Sequence, residues 1–388
     1  MARDREESVA GQGLGAALTA LRKQYGKKPL FVPATRRYIP MRHRALGELL
    51  SGPVHPGLPT GVYIELLGMQ HSGKTTTTFA MIDAVLNQPA DAKHDVLTDE
   101  GVVRLPAPRK VAYMAFEPVD ADYLRASVRG VELAVADETG RVLNAKTANV
   151  FVHEPDTLEE GAEIFLRLIE SGEIGLGIID SVPAMLPEEE RQKRMDESTM
   201  ALLARQLGKF FRKSAHIIRK FNTTVVLVNQ WRDKPGVSFG DPRVAPGGKA
   251  AGYFEAIRLD VSGSHRTPWF EYGKIANIKT SKNKVTGIQK ATASYHLERG
   301  HGLSAEVELT EALVRAAVAE VSPQGRVKVS YSVGGKPKQA AYPNRAAWLT
   351  YLRENPAVFD KLWRICESKG VGPIVASGAR ASASGWED

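Results

Sequence analysis

The 388-residue chain predicts an α/β protein whose mostly parallel sheet is covered by helices on both faces, and three observations carry that prediction. Apolar runs at 62–67, 111–116, 174–179 and 223–229 have strand length and are separated by segments of helical spacing, the pattern of parallel strands joined by crossover helices. Gly68-x-x-x-x-Gly73-Lys74-Thr75 stands between the first run and a helix-like segment carrying Phe79, Ile82, Val85 and Leu86. The other three runs end in Glu117, Asp180 and Gln230, polar groups at strand ends where they can face that glycine loop.

Composition bounds the function. A hydrophobic fraction of 43% fills a sizeable core. The one cysteine, Cys366, excludes a disulfide framework, the opening MARDREES is too charged for a signal peptide, and no apolar run reaches membrane-spanning length. A reducing cytoplasm, with no membrane partner, is the expectation. The formal charge of +8 suits a polyanionic partner or solubility alone. Residues 1–60 hold ten Lys or Arg against four acids, and residues 205–249 hold ten against two, so the positive charge is concentrated. The closing VASGARASASGWED reads as disordered, and no internal repeat is found.

In chain order, the glycine loop comes first. Gly68 and Gly73 let backbone N–H groups turn inward around phosphates, and the helix after them adds the partial positive charge of its N-terminus. Lys74 can reach β and γ oxygens, and Thr75 offers a hydroxyl to Mg²⁺. VAYMAF leads to Glu117, able to polarise a water if it faces the loop and a surface group if it does not. IGLGIID ends in Asp180, the metal-side candidate, which could otherwise cap the next turn. Between Met200 and Phe221, apolar residues recur at helical spacing while Arg205, Lys209 and Arg212 share another face. That stripe is a solvated face or a track for a phosphate backbone.

TTVVLVN ends beside Gln230, read as the first residue outside the strand, where an amide can bond a γ-phosphate and move the adjoining loop. That loop, WRDKPGVSFGDPRVAPGGK at 231–249, is a long run of Gly, Pro and charge, and such loops are functional or disordered. KIANIKTSKNKVTGIQKATASYH then continues the sheet and carries Lys282 and Lys284, a pair that by itself reads as a solvated turn.

With Gly68–Thr75, Glu117, Asp180, Gln230 and the Gly-rich loop in this order, the chain resembles the RecA family of DNA strand-exchange ATPases over about residues 14–303. VNQWRDKPGVSFGDPRVAPGGKAAGYFEAIRLD, IIDSVPAMLP and GAALTALRKQYGK carry the likeness. The resemblance implies ATP and Mg²⁺ held by Gly68, Ser72, Gly73, Lys74, Thr75, Thr76 and Asp180, adenine stacked on Tyr123, water activated by Glu117, and the γ-phosphate sensed by Gln230. It implies two DNA-binding loops, 188–198 and 231–249, disordered without DNA. Met200, Arg205, Arg212, Arg232, Lys234, Phe239, Gly247 and Gly248 would hold the strand, and Trp231 is either a base-stacking group or core.

Lys282 and Lys284 would reach the neighbouring protomer's ATP, with Tyr253 at the protomer interface, so that the active site is complete only in a helical filament. Implied partners are single-stranded DNA, homologous double-stranded DNA, further copies of the chain, and a single-strand-binding protein or loading factors. The implied domains are a packing helix and strand at 1–35, a RecA-type ATPase core at 36–303, and a small C-terminal α/β domain with a disordered tail at 304–388.

Three departures accompany the likeness. The glycine loop carries Met69-Gln70-His71-Ser72 where the family has Pro-Glu-Ser-Ser, which leaves nucleotide preference open. Val244-Ala245-Pro246 replace common threonines and so remove hydroxyl contacts to DNA. Residues 304–388 diverge and lack a long acidic tail, and this divergence around an intact core suggests a phage or plasmid recombinase. The implied activity is ATP-dependent homologous pairing and strand exchange, with a weakly catalytic filament-assembly factor and a hexameric helicase as alternatives.

Overall fold

A computed structural model describes residues 13–25, 36–98, 101–194, 202–233, 243–333 and 336–376. Helix α1 (Gly13–Tyr25) precedes β1 (Tyr38–Ile39), α2 (Arg44–Ser51), β2 (Leu58–Pro59), β3 (Tyr63–Gly68) and α3 (Lys74–Leu86). An antiparallel pair, β4 (Lys93–Thr98) and β5 (Gly101–Pro106), leads to β6 (Lys110–Ala115), α4 (Ala121–Ser127), β7 (Val150–His153), α5 (Leu158–Glu170) and β8 (Ile174–Asp180). Then come α6 (Glu188–Arg191), α7 (Leu202–Lys220), β9 (Thr224–Gln230), β10 (Arg232–Asp233), β11 (Arg243–Val244) and α8 (Lys249–Phe254). The sheet resumes with β12 (Ile257–Arg266), β13 (Gly273–Asn283), β14 (Thr292–Glu298) and β15 (Gly302–Leu303). The last elements are α9 (Ala305–Arg315), β16 (Ala319–Val321), β17 (Val327–Val333), β18 (Lys336–Tyr342), α10 (Arg345–Glu354) and α11 (Pro356–Ser368).

Among the described residues, nine strands form the central sheet in the order β15-β14-β13-β12-β3-β9-β8-β6-β7. From β12 to β7 every pairing is parallel, and β13 to β15 extend the sheet antiparallel. The register aligns the strand ends: Gly68 lies opposite Gln230, and Asp180 opposite both Val228 and Ala115. The loops leaving β3, β6, β8 and β9 therefore open on one edge, where parallel sheets gather ligand groups.

Alternation along the strands supplies two cores. Ile64, Leu66, Val226 and Ile178 pack with Phe79, Met81 and Ile82 on one face, while Tyr63, Val225, Leu227 and Ile179 pack with Phe165, Phe211 and Ile218 on the other. Gly177 in β8 allows α5 to close on the sheet, because a Cβ there would lie 2.2 Å from Phe165 Cζ. A third core, around Trp348, Phe359 and Trp363, joins α9 to α11 to the three-stranded sheet β16-β17-β18. Arg42 ties it to the rest of the chain, its guanidinium 4.0 Å from the Phe359 ring centroid and 3.1 Å from Glu306.

Two sequence expectations shift. Gln230 is the last residue of β9 rather than the first beyond it, because it pairs with Gly68. Loop 188–198 is not irregular throughout: α6 occupies its start, held by Arg191 to Glu188 and Lys193 to Glu189 ion pairs at 3.0 and 3.2 Å. Among the described residues, no helix is long and apolar enough to cross a membrane.

Candidate active site and nucleic-acid interface

The loop between β3 and α3 needs its glycines. A Cβ on Gly68 would lie 2.1 Å from Val261 O, and Gly73 has φ +100°, in the left-handed region. His71 adopts φ +58° and completes the turn. Lys74 starts α3, and its Nζ donates to Gly68 O at 3.1 Å and Met69 O at 2.7 Å. Burial lowers the pKa of this ammonium, against the pull of Asp180 and then Glu117. Ser72 Oγ is buried without a hydrogen-bond partner among the described residues. An orphan hydroxyl, a left-handed glycine, a near-buried ammonium and a helix N-terminus around one bend suit a phosphate group.

Beside the loop, Asp180 Oδ2 accepts from Thr75 Oγ1 at 2.8 Å and from Tyr113 OH at 2.7 Å. Burial raises the Asp180 pKa, and the two hydroxyl donors oppose that rise. A hydroxyl and a carboxylate are hard oxygen donors of the kind that suit Mg²⁺, which binds through few protein ligands and completes its shell with water and phosphate. Thr75 and Asp180 would hold it.

Glu117, just past β6, completes the group. Its Oε1 accepts from Ser181 Oγ and from Gln230 Nε2, the latter at 3.3 Å. Tyr123 in α4 packs edge-on to Phe79 and meets Thr76 Oγ1 at 3.1 Å, while Asp120 caps α4 by accepting from Asp122 N and Tyr123 N at 2.9 Å each. Ser72 to Thr76, Glu117, Tyr123, Asp180 and Gln230 thus line one cleft of about 850 Å³. Gly68 sits at its edge, at the end of β3. Lys274 and Arg299 line the same cleft and were not singled out in the sequence. Tyr113 and Ser181 were also missed; the one available signal was Ser181 directly after Asp180.

Other candidates lie apart from the cleft. Lys282 Nζ donates to Gly252 O and to Glu255 Oε1, the latter at 3.1 Å, and Lys284 Nζ donates to Tyr253 O at 3.2 Å. Tyr253 is 73% exposed on α8. Arg205 and Arg212 are exposed on α7, and Arg205 pairs with Glu189 of α6. Arg232 is exposed in β10, whose antiparallel pairing with β11 closes the base of the 231–249 loop. That base is ordered, contrary to a wholly unstructured loop, and the Arg243 guanidinium lies 5.0 Å from the Trp231 ring centroid. Gly247 and Gly248 have φ +90° and +70°, and a Cβ on Gly247 would lie 2.7 Å from Leu207 Cδ1, so the loop can return to α8 only through residues of this kind. Met200, Lys234 and Phe239 lie outside the described residues.

Fold and cleft together define an α/β protein with a glycine-rich loop and a cleft at the carboxyl edge of its sheet whose groups suit a phosphate. A family model for the RecA N-terminal domain matches residues 123–304. Protein RecA of Nocardioides sp. (strain ATCC BAA-499 / JS614) is 30% identical over 380 residues, covering 96% of this chain and 94% of that protein. Protein RecA of Lactococcus lactis subsp. cremoris (strain MG1363) is 30% identical over 312 residues, 79% of this chain and 70% of that protein. Protein RecA of Rickettsia massiliae (strain Mtu5) is 28% identical over 371 residues, 94% of each. The chain belongs to the RecA family. The family-model match begins at Tyr123, so the phosphate loop rests on its own geometry.

Proposed function

We propose that the chain is a DNA-dependent ATPase that polymerises on single-stranded DNA and pairs it with a homologous duplex. The observation that carries this reading is the placement of Gln230: it bonds Glu117 in the nucleotide cleft and leads directly into the base of the 231–249 loop. On nucleotide binding, Lys74 exchanges its two loop carbonyls for β and γ oxygens, and Ser72 Oγ gains a partner. Thr75 and Asp180 would hold Mg²⁺, which would supply positive charge to those oxygens. Ser181 and Gln230, bonded to one oxygen of Glu117, fix the carboxylate so that it can polarise an attacking water.

A γ-phosphate competes with Glu117 for the Gln230 amide, and that exchange is passed to Trp231 and β10. Arg205, Lys209, Arg212 and Arg232 present exposed cations to the phosphates of a single strand. ATP and DNA bias the same loop, so by linkage each strengthens the other's binding. Lys282 and Lys284, outside the protomer's own cleft, serve the nucleotide of the adjacent protomer in the filament.

The test is electron microscopy of filaments on single-stranded DNA with ATP, and then strand exchange, in the parent protein and Lys74→Ala. Filaments and exchange are expected for the parent and lost in the variant. Normal exchange by Lys74→Ala would overturn the site assignment.

A further inference from the structure

A line of buried charge leads from the nucleotide cleft to Lys282. Asn229, beside Gln230, donates through Nδ2 to Glu65 Oε1 at 2.8 Å and to Pro246 O at 3.1 Å. Glu65 Oε2 accepts from Arg258 Nε at 2.8 Å, Arg258 Nη2 lies 2.9 Å from Glu255 Oε1, and that same oxygen accepts from Lys282 Nζ. Glu65 and Glu255 are 0% and 1% exposed, while Arg258 and Lys282 are 27% and 26% exposed in their side chains. Once both acids are ionised, two carboxylates face two cations.

We propose that Glu255 is the positioning residue for Lys282, fixing its ammonium for a phosphate of the neighbouring protomer's nucleotide. This rests on the proposed role of Lys282 at that nucleotide. A free lysine on four methylenes samples many rotamers, and holding it in place before the phosphate arrives removes that entropic cost from the chemical step. Of its three N–H donors, one goes to Gly252 O and one to Glu255, which leaves one for an incoming phosphate. Arg258, itself held by Glu65, pairs with the same Glu255 oxygen that meets Lys282.

The arrangement carries a pH signature. Burial first, and then Glu65 beside it, push the Glu255 carboxyl up to about 8, against Arg258 and Lys282. The charged groups facing it are Glu65 from β3, Arg258 from β12 and Lys282 from β13. Its proton leaves as pH rises through that value, and the grip on Lys282 tightens.

The experiment measures DNA-stimulated ATP hydrolysis against pH for the full chain, Glu255→Gln, Glu255→Asp, Lys282→Ala and the Glu255→Gln/Lys282→Ala double variant. Glu255→Gln is expected to lower kcat about tenfold with KM for ATP within about twofold, and to abolish the rise near pH 8. The double variant should fall no further than Lys282→Ala, because Glu255 acts through that lysine. If Glu255→Gln does not fold, Glu255→Asp, which keeps the charge one methylene farther back, should lower kcat and keep the pH-dependent rise. A loss in Lys282→Ala beside parental rates and pH profile in Glu255→Gln overturns the positioning role alone. Additive losses or a raised KM overturn it too, in favour of a structural role. Parental rates in Lys282→Ala overturn the reading of Lys282 itself.

Discussion

Asp180 is 4% exposed, and burial holds its carboxyl above the ordinary value of 3.8 despite the Tyr113 and Thr75 hydroxyls. A carboxyl with a raised folded pKa binds its proton more tightly folded than unfolded. It therefore takes stability from the nucleotide-free protein at neutral pH and returns it as pH falls through the raised value. Asp180→Asn keeps an acceptor for both hydroxyls and removes the buried charge. The variant is expected to gain roughly 1 kcal/mol without nucleotide, read as a higher melting temperature, and to lose Mg²⁺-dependent nucleotide binding about tenfold or more. A lower melting temperature would contradict the burial argument. That Lys74, Thr75 and Asp180 would meet was legible in the sequence, from the glycine-loop pattern and from a carboxylate at the end of a buried strand. Tyr113 and Ser181 were not, since Tyr113 reads as one more apolar strand residue until the β6–β8 register brings its hydroxyl to Asp180.

At the scale of elements, hydrophobic runs marked the parallel strands, and helical spacing marked α7, with Leu207, Phe211 and Ile218 buried and Arg205, Lys209 and Arg212 outside. The β4–β5 pair and α6 were not foreseen, because the short hairpin is held by ladder bonds and the four-residue helix by local ion pairs, and neither is long enough to show a clear period. Packing of α5 on β8 makes a sharp prediction. Gly177→Ala places a methyl within the Phe165 ring contact and should cost about 1–3 kcal/mol, measured by denaturant unfolding. An unchanged midpoint would show that α5 shifts freely. On the β10 edge, Arg232→Ala should weaken binding to single-stranded DNA and reduce the log–log salt slope by about 0.7. An unchanged slope removes Arg232 from the DNA track.

The whole molecule places its candidate nucleotide-binding groups at one edge of the sheet and the Lys282–Lys284 pair on another surface, beside exposed Tyr253. A single protomer does not join the two; in the proposed head-to-tail filament each copy would offer its lysines to the next copy's cleft. Hydrolysis should then depend on DNA that aligns the copies and should rise steeply with protein concentration at sub-saturating levels. The most direct measurement is ATP hydrolysis with and without single-stranded DNA, run on the parent protein, Glu117→Gln and Lys282→Ala. Strong stimulation by DNA, lost in both variants while Lys282→Ala still binds ATP, is the predicted result. Hydrolysis indifferent to DNA, or unaffected by Lys282→Ala, would contradict an active site completed by DNA and a neighbouring copy.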